Sequence, residues 1–444
     1  MRNNYPQILI IVLLLAFCFC EEQFEYNSGA SLTFSCDTLK FDTIFTGEKS
    51  SVHFIKIINN SGKNININTI HLENNDNQIH LNINGNETNI AENINLRKGD
   101  SIFVFAQAEL KTVTENQNLT NSLIVNTGGV DQRIIITAYG INVSKLNGLI
   151  SSDTILPPNT AYLSHNGISV VENAKLTIKE GVTIYFNNNC GIDIAGALQI
   201  DGTLENPVKL QGIRTEEIYS DVPAQWKGLS IKGNSENTLI NYATIKNAQT
   251  AISVTNSQNL TISNCIIENI FYNGIAIENT NTLIYNTLIH NCGSSCLSIS
   301  GSGYYKILNC TLANYWNINY RTKAVFNCDN IIQNINVLVA NSIIDGNHNN
   351  EIDYNQNSNI IFDNCLIKSD LSNSEKFNTC IINIDPEFVN HESSDFRLKN
   401  SSPAVDIANY GYIMLYDYLS TDYFGNLRTI DGKPDAGFAE YIKE

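Results

Sequence analysis

The sequence predicts an all-β protein in two parts, a β-sandwich followed by a stack of parallel coils. Three observations carry this. An aliphatic–small–aliphatic pattern recurs through the middle of the chain at spacings of 22, 22, 23, 32 and 23 residues. Ahead of it, short apolar–polar alternations are separated by turn signals. Asparagine, a poor helix former that favours turns, occurs 66 times in 444 residues.

The length corresponds to two or three structural units. Charged residues make up 16%, and 44 acidic against 27 basic groups leave a net charge of −17. That balance excludes a nucleic-acid binder, which needs a basic face to neutralise phosphates. With 43% hydrophobic residues the chain has material for a sizeable core, which excludes a disordered protein.

The first element is an export signal over residues 1–20. Arg2 supplies a short positive region, and residues 8–19 form an apolar run of twelve, too short to span a bilayer. The run ends at Cys20, followed at once by Glu21 and Glu22. A cysteine placed so resembles the lipobox of bacterial lipoproteins, which implies a lipidated Cys20, with Cys18 as the alternative. Phe stands where a small residue is usual. The acidic start after Cys20 resembles the signal that sends some Gram-negative lipoproteins to the outer face. The chain is therefore expected at the outer membrane or cell surface, touching membrane through its N-terminal lipid; an ordinary cleaved signal ending near Phe19 is the alternative. Nine cysteines remain in the body, an odd number for a disulfide framework, and no spacing suits zinc. Cys292 and Cys296 are close enough to bridge, or to remain as two buried thiols.

Residues 24–146 form the sandwich. Val52-x-Phe54, Ile65-x-Ile67, Phe103-x-Phe105, Leu123-x-Val125 and Ile134-x-Ile136 alternate with period two, and Asn84-Gly85 and Gly128-Gly129 are turn signals. The segments "IINNSGKNININTI", "LRKGDSIFVF" and "NTGGVDQRIIITAYG" resemble immunoglobulin-like domains of the abnormal-spindle and hydin type. That resemblance implies a spacer or docking module.

Residues 147–384 form the stack. An aliphatic position recurs at Ile240, Ile262, Ile284, Ile307, Val339 and Phe362. Three residues on comes a small one, at Ala243, Cys265, Thr287, Cys310, Ser342 and Cys365. Two further on stand Ile245, Ile267, Ile289, Leu312, Ile344 and Ile367, and two beyond those Asn247, Asn269, Asn291 and Asn314, replaced by Gly346 and Ser369. A period near 22 suits one coil of three short strands, each coil burying its apolar columns only against its neighbours. The asparagines, repeated in register, are expected to form a side-chain ladder, and the columnar cysteines small buried thiols. The repeat resembles the right-handed parallel β-helix of pectate lyases, polygalacturonases and many surface proteins, and the handedness is that family's. "LTIKEGVTIYF", "GALQIDGTLENPVKLQG" and "AQWKGLSI" resemble the first coils of β-helical Gram-negative lipoproteins, which implies a packing role for Trp226. Within residues 385–444, "DPEFVNHESSDFRLKNSSPAVD" and "DGKPDAGFAEY" resemble the C-terminal cap of such surface proteins, of the choice-of-anchor type.

Function is sought where the period breaks. Residues 213–225 carry Arg214, Glu216, Glu217 and Asp221, and the copy over residues 314–336 holds ten extra residues with Tyr315, Trp316, Tyr320, Arg321 and Lys323. Aromatic faces stack on sugar C–H surfaces, so Tyr315, Trp316, Tyr320 and Arg321 form the candidate glycan-binding set; plain packing over the irregular coil is the competing reading. The expected function is a non-catalytic glycan-binding or adhesive surface module, with polysaccharide as partner and no cofactor. The alternative is a polysaccharide lyase on uronate-containing glycans. It would use Arg321 and Lys323 as base and neutraliser, with Asp345, Glu351 or Asp353 holding Ca²⁺. A purely structural spacer is the third reading. His290, beside the Ile289 column, is expected to face outward and not to be catalytic.

Overall fold

The computed structural model describes residues 24–25, 29, 32–75, 77–111, 115–233, 237–328, 335–355, 358–371 and 375–443. The signal segment, with Cys18 and Cys20, lies outside the described residues. The chain divides into two compact units that meet between Asn142 and Val143.

The first unit is a two-sheet sandwich. In chain order its strands are β1 (Thr33–Phe34), β2 (Thr38–Phe45), β3 (His53–Ile58), β4 (Ile65–Leu72), β5 (Ile79–Ile83), β6 (Asn86–Glu87), β7 (Ile90–Leu96), β8 (Ser101–Ala108), β9 (Gln117–Thr127) and β10 (Val130–Ile141). One sheet runs β1-β3-β8-β5-β6 and the other β2-β10-β9-β4-β7. Pairing is antiparallel throughout except for β2, which lies parallel to β10. The predicted turns close tight hairpins. Gly128 and Gly129, both at positive φ, join Thr127 to its partner Val130; Asn84 and Gly85 do the same between Ile83 and Asn86.

The period-two pairs divide between the two faces. Ile65, Ile67, Leu123, Val125, Ile134 and Ile136 are buried between the sheets. Val52, Phe54, Phe103 and Phe105 point outward, and the core positions on those strands are Ile55, Ile57, Ile102 and Val104. Both faces of β3 and β8 carry apolar residues, so alternation alone could not say which side is the core.

The second unit is the stack. Three all-parallel sheets of eleven, nine and ten strands are built from successive coils among the described residues. The predicted columns are the pairing register itself. Ile240, Ile262, Ile284, Ile307, Val339 and Phe362 pair in that order. So do Ile245, Ile267, Ile289, Leu312, Ile344 and Ile367. Leu176 and Ile178 pair with Leu198 and Ile200, 22 residues on. These side chains form one continuous buried core. Trp226 is wholly buried, stacks on Phe186 with ring centroids 4.3 Å apart, and donates its indole N–H to the Lys246 carbonyl.

Asparagine holds the corners. Asn264, Asn286, Asn309, Asn341 and Asn364, one residue before the small column, all adopt left-handed φ of 48–51°, a conformation Asn tolerates better than other side chains. The predicted column at Asn247, Asn269, Asn291 and Asn314 forms only one amide-to-amide rung, Asn291 to Asn269. Asn269 donates instead to Asp221, Asn247 to the Ser220 carbonyl and Asn314 to the Cys292 carbonyl. The insertion over residues 213–225 thus completes that corner where coil-to-coil partners run out. Cys265, Cys310 and Cys365 are buried free thiols, as are Cys292 and Cys296; burial pushes the Cys265 thiol up to about 12.

The C-terminal residues run back along the flank of the stack, over the corner with left-handed asparagines. Asn286, Asn341 and Asn364 donate to the carbonyls of Thr421, Asn409 and Ile407. Arg428, wholly buried, donates to Glu440 at 2.7 Å and to the Asn286 side-chain oxygen at 2.9 Å.

Candidate functional site

Both insertions leave the stack at one corner, between the eleven-stranded and nine-stranded sheets. They lie four coils apart, roughly 19 Å at ~4.8 Å per coil. In the first, Arg214 pairs with Glu216 at 3.0 Å and lies over the Tyr219 ring at 3.8 Å, so its charge is answered within the loop.

The second insertion places the expected binding set in three different environments. Trp316 is 1% exposed. Its indole N–H donates to Asn319, and its ring lies over Gly293, where a first side-chain carbon would come within 3.0 Å of it. Arg321 is 2% exposed and forks onto Glu351, itself buried, with a further bond at 2.8 Å to Asn347. Tyr320 stands 86% exposed, and Lys323 is exposed beside it. Tyr315 is half-buried, with its hydroxyl donating to Asp345 and its ring stacked 4.1 Å from His391. The expected open platform of Tyr315, Trp316, Tyr320 and Arg321 therefore does not form: two of the four are the loop's own core.

The lyase constellation is corrected on the same grounds. Arg321 cannot serve as a base while its guanidinium is held by a buried carboxylate. Glu351 spends its oxygens on Arg321, the His348 N–H and the Val325 N–H. Asp345 receives the Tyr315 hydroxyl, and Asp353 is exposed on a strand of the nine-stranded sheet, whereas Asp345 belongs to the eleven-stranded one. No group of three or more His, Cys, Asp or Glu suited to a metal ion occurs among the described residues.

What the insertion does build is a cleft. Ile344, Ile367 and Ile382 stack inward, so the residues after them, Asp345, Lys368 and Asn383, form an outward column on three successive coils. Tyr315 and His391 wall one side, and Asp370 and Asp385 complete a cavity of about 460 Å³. Lys368 is fixed by donating to the Gly346 carbonyl at 2.6 Å. Burial pushes the Asp345 carboxyl above its ordinary value, against the pull of the Tyr315 hydroxyl and the Lys368 charge. Burial also raises the Tyr315 phenol, reinforced by the Asp345 carboxylate, so Tyr315 keeps its proton and acts as a donor. A ring face, a cation, a hydroxyl, an amide and carboxylates thus converge, the mixture that orients a polyhydroxylated ligand.

Sequence reasoning named Tyr315 and Asp345 but missed Lys368, Asn383, Asp385 and His391. Lys368 follows Ile367 in the recurring column and was legible as an outward position, whereas Asn383 follows Ile382, which comes only 15 residues after Ile367 and so falls off the period. His391 arrives from the C-terminal segment, and no periodic signal announces it. His290, which continues this column upstream, is outward but covered, with its ring 4.7 Å from Phe396 and its Nε2 3.3 Å from Glu268.

Comparison with known proteins agrees with the architecture. Residues 227–382, roughly a third of the chain, match the family described as right handed beta helix region. The stack is a right-handed parallel β-helix. No curated protein matches the chain. Among solved structures, the chain is similar to a family 123 glycoside hydrolase from Clostridium perfringens, described for glycolipid glycan hydrolysis, at 13% identity and a TM-score of 0.19. That likeness spans 24% of this chain and 23% of the hydrolase. It is too slight to carry any argument about activity.

Proposed function

We propose that the protein is a glycan-binding module of an exported, lipid-anchored surface protein, and that the cleft beside Tyr315 receives the saccharide. The observation that carries this reading is the Tyr315–His391 ring stack set against the Asp345–Lys368–Asn383 column in one cavity. Charge selects the class of glycan. Asp345, Asp370 and Asp385 outnumber Lys368 in the cleft, and the chain carries −17 overall, so a uronate polymer is repelled where a neutral one is not. Binding without cleavage is the preferred reading, because the Arg321 and Lys323 pair required by the lyase alternative is divided between a buried ion pair and the exposed loop.

Titration of the protein with neutral and uronate-containing oligosaccharides tests this. A neutral oligosaccharide is expected to bind, and Tyr315→Ala or Lys368→Ala to weaken it about tenfold, ~1.4 kcal/mol. Tyr315→Ala should also lower the melting temperature, since it removes a packed ring and the partner of buried Asp345, so affinities are compared where each variant is folded. Affinity untouched by both substitutions would remove the cleft from the account.

A further inference from the structure

The outer face of the β1-β3-β8-β5-β6 sheet departs from what an antiparallel sheet presents to water. Such a sheet buries one face and keeps the other polar. Here Phe54 on β3 and Phe103 and Phe105 on β8 stand outward, 52%, 39% and 40% exposed. Register brings them together: Phe54 lies directly opposite Phe105, and Phe103 opposite Lys56. Ring centroids are 5.6 Å apart for Phe54–Phe103 and 6.1 Å for the stacked Phe103–Phe105 pair. Three rings stand in contact at the centre of the sheet, with the Lys56 ammonium 5.7 Å over the Phe103 ring, and exposed aromatic clusters of this kind are characteristic of interaction surfaces.

The same rows supply the polar half. Across β8 to β5, Phe105 lies opposite Asn82 and Gln107 opposite His80. The aromatic row continues into a cleft of about 790 Å³ walled by Asn75, Asn77, Asn82 and Asn89 beside Phe105. Asn89 is held in the wall by its bonds to the Leu81 N–H and the Ile79 carbonyl, and the Asn82 side-chain oxygen accepts from the Gly85 N–H. The Asn82 amide N–H and the Asn77 amide suit the hydroxyls of a sugar, and the ring faces suit its C–H surface. Among the described residues, Lys49 and Lys56 stand against Glu87 and Glu109 on this face, although the chain as a whole carries −17. An even charge beside aromatic and amide groups favours an uncharged occupant.

We infer that this sandwich face is a second binding site, for a neutral polysaccharide chain laid along Phe54, Phe103 and Phe105 and into the Asn-walled cleft. The inference stands on the sandwich's own residues and holds whether or not the Tyr315 cleft binds.

The test is affinity gel electrophoresis of the full chain through mixed-linkage β-glucan, galactomannan or soluble starch. At least one polymer is expected to retard it. Phe54→Ala with Phe105→Ala should weaken that retention at least about tenfold, while Phe105→Tyr preserves it. These rings lie outside the core but form a cross-strand pair, so the double variant should stay folded and melt only slightly lower, and a loss of retention by the folded variant is read as lost contact. Retention surviving Tyr315→Ala but lost in the double Phe variant supports this site and overturns the cleft. The converse pattern overturns this site and supports the cleft. No retention by any of the three polymers, or a dimer in sedimentation that only the double Phe variant dissolves, overturns the inference and, in the second case, makes another copy of the chain the occupant.

Discussion

Arg321 and Glu351 show how an insertion can be locked to a repetitive scaffold by two residues. Neither is exposed, and they meet in a forked pair while Asn347 and backbone groups take further bonds, the Arg321 Nε–H being left without a partner. Breaking such a pair strands a buried charge, at a cost of about 3–5 kcal/mol, whereas replacing both partners with apolar groups is often neutral. Arg321→Ala should therefore lower stability by about that amount in denaturant unfolding, and Arg321→Met with Glu351→Gln, which removes both charges but keeps an acceptor for the His348 and Val325 N–H groups, should recover part of it. A smaller contribution comes from each left-handed asparagine. Asn309 adopts φ 50° in the buried corner and donates to the Asp435 carbonyl. Asn309→Ala should cost roughly 1–2 kcal/mol of backbone strain in addition to the lost bond. Asn309→Gly, free of that strain, should be the milder of the two in the same assay.

Among the elements, the C-terminal segment holds a buried carboxyl whose titration makes the segment's internal packing depend on pH. Asp435 is buried, and burial raises its carboxyl to about 6, opposed by N–H groups of Tyr441 and Asp406 and reinforced by nearby carboxylates. The folded chain therefore keeps this proton at pH values where the unfolded chain, with its carboxyl near ~3.9, has released it. The stabilisation is fully present below pH ~4 and is lost as pH rises through about 6. Melting curves should show the native protein losing stability relative to Asp435→Asn between pH 4.5 and 7. A difference that stays constant across that range would contradict the assignment. The segment also shows which element was hard to read. Its sequence resembles a cap, and its apolar residues were visible, but the corner it covers is defined by Asn264, Asn286, Asn309, Asn341 and Asn364. Those asparagines recur with the same spacing as the small column beside them, so the signal is present in the sequence, but it is less conspicuous than the asparagine column five residues further on.

For the molecule as a whole, the stack was legible because each coil must bury the same positions against its neighbours. A 22-residue period in the sequence is then the pairing register in space, as the Ile240 and Ile245 columns demonstrate. The sandwich was legible as a class, and its turns at Asn84-Gly85 and Gly128-Gly129 were found in place, but its inner and outer faces were not distinguished where β3 and β8 are apolar on both. The site was legible only in part. Insertion residues carry no period, so Trp316 and Arg321 looked available from composition when packing had already claimed them. His391 reaches the cleft from 76 positions beyond Tyr315, a neighbourhood made by chain reversal alone.

The proposed role of the protein is to hold neutral glycans without cutting them. The most direct measurement is to incubate the protein with neutral and uronate polysaccharides and read retention and chain length on the same samples. The account predicts retention of a neutral polymer whose length distribution is unchanged. Shortening of a uronate polymer, with products that carry a new conjugated double bond, would contradict it.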